Sequence, residues 1–384
     1  MNVLIATPVL SLGGTEIQTL SVVKILLSMG YRVTVCCYYE FDEQMAEVFR
    51  KAGANVLLLR LIRPRQRFNI ASAFYLVISL FSLFRQTRPE IVHVQYLAPG
   101  LLPILVARLA RVPMIIATVH IAGSIVYGWK AKILLRSAAH LCSRFICVSR
   151  GVEKFWFGSS EVFNPNAVNT YRKHFTVYNA VDAPAIAEVT SAVDRAEMKE
   201  RLGIDGKSVI GIVGRLAPQK GHAILLDAMP VITREYPNVV LVIIGDGPER
   251  EKLEQKASAL NLDENIRWMG SQPQSNVIEF YAIMDVLVMP SLYEGFGLTA
   301  AEAMAAGVPV VGTQVEGLSE IIEDGASGYL VQPNDHRALA EALIRLLNNP
   351  AQALAMGENG RDRVNRFFSV AHFKASMIGV YHTL

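Results

Sequence analysis

Apolar residues are distributed along this chain in two alternating patterns. Short, largely apolar runs at 3–6, 31–38, 55–59, 91–94, 114–118 and 145–148 predict strands. Between them apolar residues recur every three or four positions, as in 16–29, a helix closed by Gly30. A polar, proline-containing passage, 179–194, is expected to be a linker. The alternation then restarts, with strands at 208–213, 239–244, 266–269, 286–289, 309–312 and 328–331. Helices are predicted over 221–236, 248–260, 299–306 and 336–348. Strands alternating with helices imply parallel sheets covered on both faces. The chain reads as two doubly wound α/β halves, with a ligand at the carboxyl ends of strands or in a cleft between halves.

Composition agrees with that reading and narrows it. A length of 384 residues suits two domains, and 52% hydrophobic with 18% charged residues excludes disorder, collagen and a disulfide-stapled miniprotein. Cys36, Cys37, Cys142 and Cys147 lack metal-site spacing and read as free, mostly buried thiols of a reducing cytoplasm. The apolar start runs into Gly13-Gly14 without a basic leader, so no secretory signal is expected. The longest apolar run, 71–84, falls short of the ~20 residues that span a bilayer, which argues against an integral membrane protein.

Charge adds a polarity that the net value of +3 hides. Through residue 185 there are 20 Lys and Arg against 9 Asp and Glu, a balance of +11; the remainder has 17 against 25, or −8. The first half is therefore expected to meet something anionic, a nucleic acid or a phospholipid surface. Arg60, Arg63, Arg65 and Arg67 precede the apolar run, and Lys130, Lys132, Arg136 and Arg144 follow Trp129. Arginine beside apolar and aromatic residues favours anionic lipid, and no nucleic-acid-binding motif is present. The competing reading is a core helix at 71–84 with solvated arginines around it.

Three clusters carry candidate chemistry. Gly13-Gly14-Thr15-Glu16 follows the first strand and opens a helix, where bare N–H groups can meet oxygen or phosphate; an ordinary turn would look the same. The segment 211–221 places Arg215 and Lys220 in one Gly/Pro loop after a strand, a fork and a point charge suited to one diphosphate, although either alone reads as a surface cation. In the third cluster, Glu294-Gly295-Phe296-Gly297-Leu298-Thr299, Glu294 lies in a loop and Glu302 in the first turns of the next helix. Glu302 could accept both hydroxyls of a ribose while the N–H groups of 297–299 meet a phosphate. Complementing the helix dipole would account for Glu302 but not for Glu294.

Together these motifs resemble the family-4 retaining glycosyltransferases of the GT-B fold, the group 1 glycosyltransferases. The likeness rests on Gly13-Gly14-x-Glu16, Val213-Gly214-Arg215-x4-Lys220-Gly221, Gly245-Asp246-Gly247-Pro248 and Glu294-x7-Glu302. Thr118-x-His120, Val148-Ser149 and Tyr178-Asn179-Ala180-Val181-Asp182 add to it, with Ala180 where the family usually has Gly. The resemblance implies two Rossmann-like domains facing across a cleft. Residues 1–182 would bind the acceptor, 183–368 the nucleotide-sugar, and a last helix within 369–384 would cross back to the first domain. It further implies that Arg215 and Lys220 hold the donor diphosphate and Glu302 the ribose. Glu294 and the Phe296-Gly297-Leu298 backbone would meet sugar and phosphate, Gly13 and Gly14 would form the opposite wall, and His120 would be the active-site histidine.

The activity so implied is a retaining hexosyl or N-acetylhexosaminyl transfer from a nucleoside-diphosphate sugar to a glycan or lipid-linked acceptor. UDP is the expected nucleotide because it is the commonest donor type in the family. No Asp-x-Asp occurs, so neither a metal nor another cofactor is required by the reading. The protein is expected in the cytoplasm, peripheral on the inner face of the membrane, in cell-surface polysaccharide synthesis. The alternatives are a GT-B nucleotide-sugar epimerase and a non-catalytic partner subunit.

Overall fold

A computed structural model describes residues 1–11, 13–59, 70–95, 101–121, 128–165 and 172–382. Arg60, Arg63, Arg65 and Arg67 lie outside the described residues. The chain divides into two units, Met1–Asn179 with Ala371–Leu384, and Ala180–Val370.

Among the described residues the first unit has seven strands: β1 (Asn2–Leu10), β2 (Arg32–Phe41), β3 (Asn55–Leu58), β4 (Ile91–Gln95), β5 (Met114–Val119), β6 (Arg144–Cys147) and β7 (His174–Thr176). They lie in the order β3-β2-β1-β4-β5-β6-β7, and every pairing is parallel. The second unit has six: β8 (Ser208–Val213), β9 (Val239–Ile244), β10 (Ile266–Gly270), β11 (Val286–Met289), β12 (Val310–Thr313) and β13 (Gly328–Val331). Their order is β10-β9-β8-β11-β12-β13, again parallel throughout. Each sheet runs outward from its first strand in one direction and then reverses. The reversal lies between β1 and β4 in one sheet and between β8 and β11 in the other. A crevice at the carboxyl ends of the strands flanking such a reversal is where open α/β sheets bind ligands.

The uninterrupted apolar strands follow from burial on both faces. All of β9 is buried, as are Val3 to Ala6 of β1. In the second unit the helix His222–Glu235 lays Leu225, Met229 and Ile232 against Ile210, Leu241 and Ile243. Among the described residues no helix is long and apolar enough to cross a membrane. All four cysteines are free and buried.

Several segments depart from the sequence expectation. The passage expected as a linker contains a helix, Ala183–Ala192. Asp182 caps it by accepting from the Ala185 amide, Pro184 sits in the first turn where its missing N–H costs nothing, and Ala183 and Ile186 are buried. The three-residue β7 and the 18-residue helix Pro350–Phe367 had no distinct signal. The last helix, Val370–His382, belongs to the first unit, where Gly379 packs on Phe163 and Tyr381 is buried.

Candidate functional site

In the second unit the sequence clusters meet at the reversal between β8 and β11. The loop leaving β8 carries Arg215, passes through the single turn Pro218–Lys220 and enters the helix His222–Glu235. Backbone contacts clamp it on two sides. On one, the Leu216 amide donates to the Asp246 carbonyl at 3.0 Å and the Glu249 amide to the Leu216 carbonyl at 3.1 Å. A Cβ at Gly245 would lie 2.0 Å from the Gly214 carbonyl oxygen, so only glycine allows the two loops to approach this closely. The Gly245-Asp246-Gly247-Pro248 motif thus has a structural task. On the other side the Leu292 amide donates to the Gln219 carbonyl at 2.8 Å, tying the loop to the one that follows β11.

That second tie brings the charged residues together. Lys220 donates from Nζ to Glu294 Oε2 at 2.6 Å, with both side chains part-buried. Arg215 is exposed beside them in sequence. Glu294 is held from behind, where the Gly317 amide donates to its carbonyl at 3.1 Å. Gly297 then caps the helix Leu298–Ala305 with φ +102°, a left-handed conformation that side-chain-bearing residues avoid. Phe296 turns its ring inward against Phe368, with centroids 5.5 Å apart, so its backbone is what remains for a ligand.

Glu302 lies in the second turn of that helix and is 8% exposed. It accepts from Tyr281 Oη at 2.9 Å and from Gln274 Nε2 at 3.2 Å. Burial pushes its carboxyl above the usual range, and the two hydrogen bonds pull it back. The expectation had Glu302 as acceptor for a diol. Both of its oxygens already accept from the protein, and each keeps a second lone pair. Neither Tyr281 nor Gln274 was foreseen, because neither lies in a motif. His222, at the start of its helix, is 3% exposed, and neither ring nitrogen has a hydrogen-bond partner among the described residues. Burial, and then Lys220, lower it to about 4.

The first unit gathers polar groups at its own reversal. Gly13 caps the helix Gly14–Ser28 in extended backbone, and the buried Glu16 folds its carboxylate back beside it. His120 follows β5 directly and donates from Nε2 to Gln95 Oε1 at 2.7 Å. Behind Gln95 lies His93, fully buried, with Nε2 2.7 Å from Thr118 Oγ1 and Nδ1 2.6 Å from Tyr381 Oη on the last helix. Burial lowers both histidines to about 3, and His120 adds to the effect on His93, so both rings are neutral. A cavity of about 20 Å³ beside them is lined by Gln18, Gln95, Thr118, His120 and Asn179 among others. Gln95 and His93 were missed, although two polar residues on one face of a buried strand are a readable signal.

Of the expected basic surface, Lys130 is exposed, while Lys132 sits 4.2 Å from the centre of the Phe155 ring and Arg136 donates to the Trp156 carbonyl at 2.7 Å. Arg144, in β6, is half-buried.

Two family models divide the chain between them. Residues 12–157 match "Glycosyltransferase Family 4" and residues 194–363 match "Glycosyl transferases group 1". The chain is 35% identical over 209 residues to the D-inositol 3-phosphate glycosyltransferase of Corynebacterium urealyticum, an alignment covering 52% of this chain and 49% of that protein. It is 28% identical over 312 residues to the capsular polysaccharide biosynthesis glycosyltransferase CapM of Staphylococcus aureus, covering 80% of each. The chain spans about half the length of the first curated relatives it matches. Among solved structures, Anabaena Alr3699/HepE in complex with UDP-glucose superposes over 100% of both chains with a TM-score of 0.83 at 20% identity. That likeness identifies the fold as GT-B. With a family model on each unit and this fold along its whole length, the chain belongs to the group 1 glycosyltransferases.

Proposed function

We propose that the protein transfers a sugar from a nucleoside-diphosphate sugar to a hydroxyl of a glycan or lipid-linked acceptor, with retention of anomeric configuration. The observation that carries this reading is the Lys220–Glu294 pair at the carboxyl ends of β8 and β11, beside Arg215 and one turn from a helix start. Breaking the bond between the anomeric carbon and the diphosphate leaves negative charge on the departing oxygen. Lys220, Arg215 and the amides at 297–299 supply preorganised positive charge for it. The acceptor oxygen bonds to the anomeric carbon on the face the diphosphate leaves, and its proton passes to the departing phosphate oxygen. Glu294, released from Lys220 as the diphosphate binds, is then available to sugar hydroxyls. Glu302 holds the ribose. The loop supplies the charge compensation without a metal, so transfer is expected to survive EDTA.

The capsular polysaccharide relative supports a glycan acceptor, and the UDP-glucose complex supports UDP as the nucleotide. A surface of the first unit supports a lipid-borne acceptor. The helix Ile70–Thr87 buries Leu76, Leu80 and Phe84 yet exposes Phe74, Tyr75, Ile78 and Phe81. The helices Leu101–Leu109 and Trp129–Leu141 pack beside it in succession, and the latter exposes Trp129, Ile133 and Leu134. No Asp or Glu occurs between Glu90 and Glu153. Exposed aromatic residues on a cationic surface fit an anionic bilayer face.

A thermal-shift panel of UDP-, GDP- and ADP-sugars tests the donor. At 100 times its dissociation constant the true donor should add ~2.7 kcal/mol of stability. Incubation with a hydroxyl acceptor, followed by NMR of the product anomer, tests the chemistry. Conversion of the donor to its epimer without acceptor would favour the epimerase. Binding without any turnover, across acceptors, would favour a non-catalytic subunit.

A further inference from the structure

We infer that His222 is a further binding residue for the donor: its imidazole donates a hydrogen bond to a phosphate oxygen of the nucleoside diphosphate, alongside Lys220 and the first amides of its helix. His222 opens the 14-residue helix His222–Glu235. Its cap, Gly221, lies so close to the end of β11 that a Cβ there would fall 1.9 Å from the Pro290 carbonyl oxygen. The helix therefore starts at the reversal of the sheet. The Ile224 and Leu225 amides both donate to the Gly221 carbonyl, which leaves those of His222 and Ala223 without an acceptor inside the helix. Two such amides are what a helix start offers to an anion. Side chains lean toward the N-terminus of their helix, so His222 leans back toward the loop that carries Lys220.

The ring is 3% exposed, and neither nitrogen has a partner among the described residues. No other described side chain has a buried nitrogen or oxygen left in that state. Enclosing such a group without a hydrogen bond destabilises the fold, and an apolar side chain of similar size would avoid it. The same helix buries Leu225, Leu226, Met229 and Ile232, so apolar residues serve its other inward positions. A ligand that supplies the partner accounts for the exception. Burial and Lys220 keep the ring neutral at pH 7, so it has one N–H to give. Lys220, two helix amides and an imidazole N–H have one kind of partner in common, an anionic oxygen. Both ring nitrogens are enclosed while Lys220 lies on Glu294, and the bond forms as Lys220 turns to the diphosphate.

This inference rests on the reading of 215–221 as the diphosphate loop, and calorimetry separates the two. UDP, GDP and ADP are titrated into the full-length protein, and the tightest binder serves as the probe. His222→Leu should weaken its binding about tenfold or more, the effect of one hydrogen bond to a charged acceptor, while His222→Gln, which keeps an N–H, should stay within about threefold of wild type. Free His222→Leu should melt no lower than wild type, because a buried polar group without a partner has been removed. In wild type the His222 ring 15N resonance, assigned by its loss in His222→Gln, should shift as the probe saturates the protein. Wild-type affinity in His222→Leu, equal losses in the two variants, a lower melting temperature of His222→Leu or an unmoved ring resonance would each overturn the inference. If Lys220→Ala and Arg215→Ala lose affinity while His222→Leu keeps it, the inference alone fails. Wild-type affinity in both cation variants, or no nucleotide bound by wild type, would remove the diphosphate loop and His222 with it.

Discussion

Lys220 and Glu294 neutralise one another, and a diphosphate would displace the weaker anion. Removing either cation of the β8 loop, by Lys220→Ala or Arg215→Ala, should lower kcat/KM by the equivalent of about 1.5–3 kcal/mol. The double variant should lose far less than the sum, since both act on one diphosphate. Near-wild-type kinetics in the double variant would remove the loop from the donor site. The two glutamates should separate in calorimetry with the free nucleotide. Glu302→Gln is expected to weaken nucleotide binding, and Glu294→Gln to spare it while slowing transfer; equal losses would reject divided roles. That Lys220 and Glu294 belong to neighbouring loops after β8 and β11 was legible in the sequence, because each lies in a glycine-containing loop after an apolar strand; their ion pair was not. Tyr281 and Gln274 were not, because only the tertiary path of the chain sets them against Glu302.

At the level of elements, apolar periodicity located twelve of the thirteen strands among the described residues and missed β7, whose three residues offer no period to read. The helix Ala183–Ala192 was hidden by the proline and polar flanks that in fact start it. The helix Ile70–Thr87 is apolar on both faces, so the sequence could not distinguish a core helix from a membrane-facing one. The structure shows that it buries one face and exposes the other. Co-sedimentation with anionic vesicles at low salt measures the consequence. Wild type should pellet, and replacing Phe74, Tyr75, Ile78 and Trp129 with Ser should release it with melting unchanged, because these side chains are exposed. Vesicle binding that ignores those changes would end the lipid reading for this surface.

For the molecule as a whole, the buried neutral histidines set a direction for acid stability. Unfolded, His93 takes up a proton near its ordinary value of 6.5; folded, it does so only at about 3. Between these values the unfolded state binds the extra proton, so stability is complete above 6.5 and is lost as pH falls toward 3. His120 and His222 act in the same sense. Each such histidine should contribute a slope of about 1.4 kcal/mol per pH unit within the window. Denaturant midpoints measured from pH 7 to pH 4 should fall, and His93→Gln should flatten the fall; an unchanged slope in that variant would show His93 to be protonated in the fold.

The placement of the helix Val370–His382 has a consequence for synthesis. Because that helix completes the first unit, the first unit is interrupted in sequence by the whole of the second. A ribosome therefore delivers β1 to β7 early but withholds Tyr381, the partner of His93, until the second unit has been made. The usual order, in which the N-terminal domain folds first, is reversed for completion: the unit begun first is closed last. Emergence of this helix, and not of the last strand of its sheet, is the event that seals the first unit.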